Sequence, residues 1–179
     1  MMQPSFTTRQ PDDDDRERRV CDHCGFIDYK NPHIVVGSVA VSDERILLCR
    51  RAIEPRSGYW TLPAGYLELH ESPEEGARRE AREEARARLE IDQLLATYAI
   101  TRISQVQLIY RARLVSEDIA AGEESEEVGL FCLDDIPYDE IAFPSVHWAL
   151  EHYRMIADQS GFTPFSRSDL DGNGDVVGL

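Results

Sequence analysis

Glu80, Glu83 and Glu84 stand three and four residues apart in a stretch that reads as helix. At roughly 100° per residue their carboxyl groups fall within one arc about 100° wide, while Arg78, Arg79, Arg82 and Arg86 occupy another. Like charges at this spacing repel by roughly 0.2–0.5 kcal/mol each, and a hard divalent cation would turn that repulsion into binding. Opposite charges also recur four residues apart, in Glu74 with Arg78, Glu75 with Arg79 and Glu84 with Arg88, so a solvated, salt-bridged face is the competing reading. A second acidic run, Glu117 to Glu140, holds ten Asp or Glu and no Lys or Arg, and reads either as further ligands or as a solubilising loop. Arg50 and Arg51 offer bidentate guanidinium groups for a substrate phosphate. Tyr59, Trp60 and Tyr66 either stack on a base or pack in the core. Cys21 and Cys24 read as reduced thiols or as half of a metal site.

Composition narrows the classes. The chain has 179 residues, 42% of them apolar, with 19 Lys plus Arg against 34 Asp plus Glu and a formal charge of −15. That balance argues against nucleic acid as a partner, since such binding neutralises phosphates with Lys and Arg, and Lys30 is the sole lysine. No apolar run is long enough for a bilayer, and Met1 to Gln10 lacks a basic segment followed by an apolar one, so neither membrane nor export is expected. Four cysteines in a chain this long do not suggest a disulfide scaffold, and the expected location is cytoplasmic.

The elements that must position these groups follow from patterning. Residues 1–19 are polar without apolar period and read as a flexible arm. Ile34 to Val41 and Ile46 to Leu48 suggest a hairpin. Ser72, Pro73, Glu74 and Glu75 supply an N-cap, a proline at the first helical position and acids at the positive end of the dipole, predicting a helix to about Arg88. Three β-like runs follow, Leu94 to Ile100, Val106 to Val115 and Val128 to Leu133, then an amphipathic helix around Val146 to Ala157. Residues 160–179 return to Gly, Ser and Asp and are expected to form a flexible tail. In it Asp169, Asp171, Asn173 and Gly174 open like a calcium loop whose twelfth position would fall beyond Leu179.

Gly65, Glu71, Arg79, Glu80, Glu83 and Glu84, at their fixed spacing, resemble the Nudix box, G-x5-E-x7-R-E-U-x-E-E-x-G-U, with Arg86 standing where the pattern has glycine. The resemblance covers roughly Ile34 to Tyr153. It implies an α/β/α sandwich around a mixed β-sheet, with the catalytic domain at 34–159. At Arg86 a left-handed turn would be costly for a non-glycine residue, so the helix is expected to continue through it. The run Arg16 to Ile34, with Cys21 and Cys24, resembles the second half of a zinc ribbon that precedes one Nudix subgroup. Without a second cysteine pair, 20–33 is expected to be a degenerate ribbon, and zinc is not expected.

The resemblance further implies hydrolysis of the pyrophosphate bond in a nucleoside diphosphate derivative of the ADP-ribose, NADH or FAD type, releasing a nucleoside monophosphate. The cofactor would be Mg²⁺, with Mn²⁺ as the alternative. Carried over by position, the metal ligands are Glu80, Glu83, Glu84 and the Ala64 carbonyl, with Gly65, Glu71 and Arg79 as structural partners. Glu83 is the first choice of general base, ahead of Glu80. A further glutamate just ahead of a late strand falls on Glu127, with Glu124 as the alternative. Arg50, Arg51, Tyr59 and Tyr66 are the substrate-binding candidates. A homodimer is compatible with the resemblance and is not decided by it. The alternative from another class is a catalytically silent nucleotide-sensing module, against which three mutually repelling carboxylates count.

Overall fold

The computed structural model describes residues 5–170, and the chain divides between Pro32 and His33 into two compact units. In the first, β1 (Phe6–Arg9), β2 (Arg18–Cys21) and β3 (Ile27–Asp28) form a three-stranded antiparallel sheet. The segment expected as an arm over 1–19 therefore carries one strand and the start of another, and the ribbon is wider than 20–33. These strands escaped patterning because they bury almost no alternating apolar residues. Backbone pairing and short-range polar contacts hold them, such as Arg18 Nε donating to Asp14 Oδ2 at 2.8 Å and Ser5 Oγ to Asp22 Oδ2 at 2.7 Å.

The second unit is built on a mixed sheet in the order β10-β5-β4-β9-β8-β11. Its strands are β4 (His33–Ser42), β5 (Arg45–Arg51), β8 (Leu89–Ile100), β9 (Gln105–Leu114), β10 (Ser125–Cys132) and β11 (Phe165–Ser168). Two short strands, β6 (Trp60–Thr61) and β7 (Ala64–Tyr66), pair with β5 and β4 off this path. β4 runs parallel to β9 and β8 parallel to β11, and the other pairings are antiparallel. Side chains alternate across both faces, and both faces are apolar. Ile46 and Leu48 join the core under helix α2 (Pro144–Ile156), while Leu47 and Cys49 join the core under helix α1 (Pro73–Ala85). The result is a sheet sandwiched between helices. Among the described residues no helix is long and apolar enough to cross a membrane.

β11 corrects the expectation of a flexible tail from residue 160. Four residues pair with β8, Phe165 stacks on His152 of α2 at 4.2 Å, and Asp169 is 1% exposed. Residues 171–179, with the rest of the calcium-like pattern, lie outside the described residues.

Helix α1 starts as its sequence dictates: Ser72 Oγ accepts from the Glu75 N–H, and the Glu75 carboxylate accepts from the Ser72 N–H at 2.8 Å. Ala77, Ala81 and Ala85 are fully buried, and their short side chains let the helix lie close on the sheet. The helix stops at Ala85 rather than running through Arg86, which adopts the left-handed conformation at φ 55°. The need to close the helix outweighs the steric cost: Arg86 N–H donates to Arg82 O and Ala87 N–H to Ala81 O. Arg86→Gly is expected to raise stability by about 0.5–1 kcal/mol, the relieved strain exceeding glycine's added unfolded-state entropy. Thermal denaturation should show it as a gain of about 1–4 °C, and an unchanged or lower midpoint would refute the account.

Candidate active site

A cleft of about 890 Å³ in the second unit is lined by Glu80, Glu83 and Glu84, by the β7 residues Ala64, Gly65 and Tyr66, and by Arg51, Phe143, Glu123 and Glu124. Glu80 and Glu84 are buried and Glu83 is exposed. Glu84 Oε2 accepts from the Ala64 N–H at 3.3 Å. Burial and then the neighbouring Glu80 push the Glu84 carboxyl up to about 8. Burial also raises Glu80, although the Arg79 guanidinium opposes it.

Arg79 organises the box. Its guanidinium grips Glu71 through two bonds, of 3.0 and 2.7 Å, and donates to the Tyr66 carbonyl at 2.9 Å, tying the helix to the strand before it. The Glu71 carboxyl sits below its ordinary range, chiefly through Arg79. The remaining nitrogen, Nη1, donates to Glu80 at 2.6 Å and Glu83 at 3.0 Å. A Cβ at Gly65 would lie 2.4 Å from the Glu80 carboxylate, so glycine here leaves that side chain its present place. Among the described residues no three acids, histidines or cysteines converge into a ready-made metal cage. Arg79 Nη1 instead bridges two of the carboxylates.

Of the two adjacent arginines, only Arg51 reaches the cleft. It lies over the Phe143 ring at 5.2 Å, and its charge lowers Glu84 slightly against burial. Arg50 donates to the Gly58 carbonyl at 2.8 Å and lies 3.6 Å from Glu127, its direct partner across β5 and β10. Consecutive strand residues face opposite ways, so both could not serve the same pocket. Glu127 is thereby committed to Arg50 and is not part of the cleft wall; Glu124, three residues earlier, is. Tyr66 lines the cleft, whereas Tyr59 lies under Arg56 at 5.3 Å and Trp60 is buried edge-on against Phe131. Phe143, Gln107 and Arg102 also line the cleft and carry no sequence signal of their own.

The acidic run after β9 docks on the end of α1. Ala120 N–H donates to Ala85 O at 3.0 Å and Gly122 N–H to Glu84 O at 2.9 Å, occupying carbonyls that a helix end leaves unpaired. That contact holds Glu123 and Glu124 beside the box.

In the first unit Cys21 is buried and Cys24 exposed. Ser5 Oγ donates to the Asp22 carboxylate at 2.7 Å, and the Thr7 and Ser5 hydroxyls beside that carboxyl hold it below its ordinary range. Two thiols do not make a four-ligand zinc site, so these residues do not fit the metal.

Profiles described as NUDIX domain and Nudix N-terminal match residues 31–152 and 4–30. The crystal structure of a NUDIX hydrolase from Nitrosomonas europaea superposes with a TM-score of 0.86 at 40% identity, covering 90% of this chain and 93% of that one. A MutT-like protein of Streptomyces ambofaciens is 37% identical over 57% of this chain, which spans 64% of that protein's length. An ADP-ribose pyrophosphatase of Methanocaldococcus jannaschii is 27% identical over 73% of this chain and 74% of its own length. With the box residues on β7, α1 and the loop between them, the sandwich around them and the matched ribbon ahead of them in sequence, the chain belongs to the Nudix hydrolase family.

Proposed function

We propose that the protein hydrolyses the pyrophosphate bond of a nucleoside diphosphate derivative of the ADP-ribose type, with Mg²⁺ or Mn²⁺, and releases a nucleoside monophosphate. The observation that carries this reading is the placement of buried Glu80 and Glu84 beside Glu83 and Glu124, facing Arg51, in a cleft large enough for a nucleotide. Oxygen-only donors suit a hard divalent ion, and buried carboxylates that repel one another have little other use. A divalent ion held there would offset phosphate charge and acidify a water.

The chain's own groups do the rest. Arg51 orients a non-bridging phosphate oxygen, braced by the Phe143 face and by its bond to the Pro55 carbonyl at 2.9 Å. Glu71 and Arg79 keep the helix at a fixed distance from β7. A box carboxylate or Glu124 takes the proton of the attacking water, and Glu124 replaces Glu127 in the late-glutamate role. The likeness to the archaeal ADP-ribose pyrophosphatase supports the substrate class.

The test is phosphate release, coupled to a phosphatase, from ADP-ribose, NADH, FAD and nucleoside triphosphates with Mg²⁺ or Mn²⁺. Turnover of ADP-ribose or a dinucleotide supports the reading; binding without turnover of any member would make the protein a sensor. In the same assay Glu124→Gln should lower kcat by about 10²-fold, the usual scale for a lost proton-transfer group, and Glu127→Gln by less than about threefold. The reverse ranking would restore Glu127 to the site.

A further inference from the structure

The cleft has a far end that this chemistry does not use. Ala64, which bonds Glu84, pairs with Gly37, and Gly37 pairs with Ile109 on β9. Four residues back along β9, Gln105 pairs with Ile100, the last residue of β8. Strand rise puts that row about 13 Å further along the sheet than the row of Ala64, so the cleft extends past the Glu84 end by about the length of a nucleoside. The single turn Thr101–Ile103 closes the row and brings Arg102 and Ile103 into the cleft wall with Gln105 and Gln107.

That turn is clamped from beneath. Asp169, 1% exposed, accepts at Oδ1 from the Thr101 N–H and Thr101 Oγ1, both at 2.8 Å, and at Oδ2 from the Arg102 N–H at 3.4 Å. Its own N–H donates to the Ala99 carbonyl at 3.1 Å. Burial acts to raise its carboxyl, but the Thr101 and Arg102 bonds outweigh it and hold the group ionised. Arg102 Nε lies 3.6 Å from Oδ2, while its side chain is 45% exposed and its terminal nitrogens bond no acceptor among the described residues. A guanidinium that lies beside a buried carboxylate, has free terminal nitrogens among the described residues and belongs to a residue lining the cleft is arranged for two-point recognition of an oxyanion.

We propose that Arg102 is a specificity-determining residue that binds a phosphate monoester on the part of the substrate remote from the scissile diphosphate, and that Asp169 positions it. This rests on the reading that the diphosphate sits at the carboxylate end. Hydroxyl-only groups would gain little from a guanidinium already facing water. A second phosphate would otherwise meet a protein of charge −15.

The experiment is calorimetric titration, with Mg²⁺ present, of adenosine 5′-monophosphate against adenosine 2′,5′- and 3′,5′-bisphosphate. The wild-type protein should bind one bisphosphate about tenfold or more tighter than the monophosphate, the scale of a charge-assisted pair. In Arg102→Ala the ratio should fall to within about twofold of one, Arg102→Lys should keep part of it, and Asp169→Asn should lose most of it although Arg102 is intact. Because Arg102 is surface-placed, folding of its variants is checked by their circular dichroism. Equal wild-type affinities, no binding of any of the three, or a ratio that survives Arg102→Ala would overturn the proposal. The readout needs no turnover, so an intact ratio beside absent hydrolysis would fault the proposed reaction and leave Arg102 standing.

Discussion

Glu84→Gln is expected to lower kcat by about 10³-fold or more, while the protein stays folded. The estimate follows from removing a charged donor that would contribute several kcal/mol to holding a divalent ion, at about 1.4 kcal/mol per tenfold in rate. A pH signature distinguishes this from general damage. With no metal bound, burial keeps the Glu84 carboxyl protonated up to about pH 8, against 4.5 in the unfolded chain. Between those values the folded state holds the extra proton, so this group's contribution to metal-free stability falls as pH rises from about 4.5 to about 8. Glu80 is raised for the same reason and acts in the same direction. A divalent ion must displace the proton, so Mg²⁺ affinity should rise with pH, by up to about tenfold per unit, and level off above about pH 8. Thermal midpoints in chelator and in excess Mg²⁺, across pH 6 to 9, provide the check. The Mg²⁺-induced gain should grow with pH in the wild-type protein and largely vanish in Glu84→Gln. A wild-type kcat in the variant, or a gain indifferent to pH, would remove Glu84 from the metal site.

What made these glutamates legible is that helix geometry is local. Glu80, Glu83 and Glu84 share an arc because of spacing alone, and Ser72 with Glu75 announces where the helix begins. Legibility failed where placement depends on partners distant in sequence. Whether Arg50 or Arg51 faces the cleft is a parity fixed by pairing with β10, where Glu127 falls opposite Arg50, while Glu124, just ahead of that strand, lines the cleft. Asp169 looked like the start of a calcium loop because its real partners, Thr101 and Arg102, are nearly seventy positions away in sequence. The strands of the first unit were missed for a different reason: Phe6 to Arg9 buries too little to show a period. Arg86 misled because its strain is compensated by helix-end hydrogen bonds that no single residue type encodes.

Gly122 offers the sharpest test of how the second acidic segment reaches the box. Its backbone lies so close to the end of α1 that a Cβ would fall 1.7 Å from the Glu83 carbonyl oxygen and 3.1 Å from the Glu84 Cα. Neither atom belongs to a flexible side chain, so Gly122→Ala must lift the loop off the helix. The Gly122 bond to Glu84 O and the Ala120 bond to Ala85 O are then stretched or lost, and Glu123 and Glu124 move with them. We expect stability to fall by about 1–3 kcal/mol, the scale of overpacking, and kcat/KM to fall by about 10–100-fold, the scale of a misplaced supporting contact. Gly161, around which a Cβ meets nothing within 4 Å, supplies the matched control, and Gly161→Ala should change neither quantity appreciably. Combined with Glu124→Gln, Gly122→Ala should add little further loss of kcat, because both act through the same carboxylate. If the two losses multiply instead, the loop contributes to catalysis through something other than Glu124. If Gly122→Ala is fully active, the docking of this segment on the helix end is not what brings an acid to the cleft.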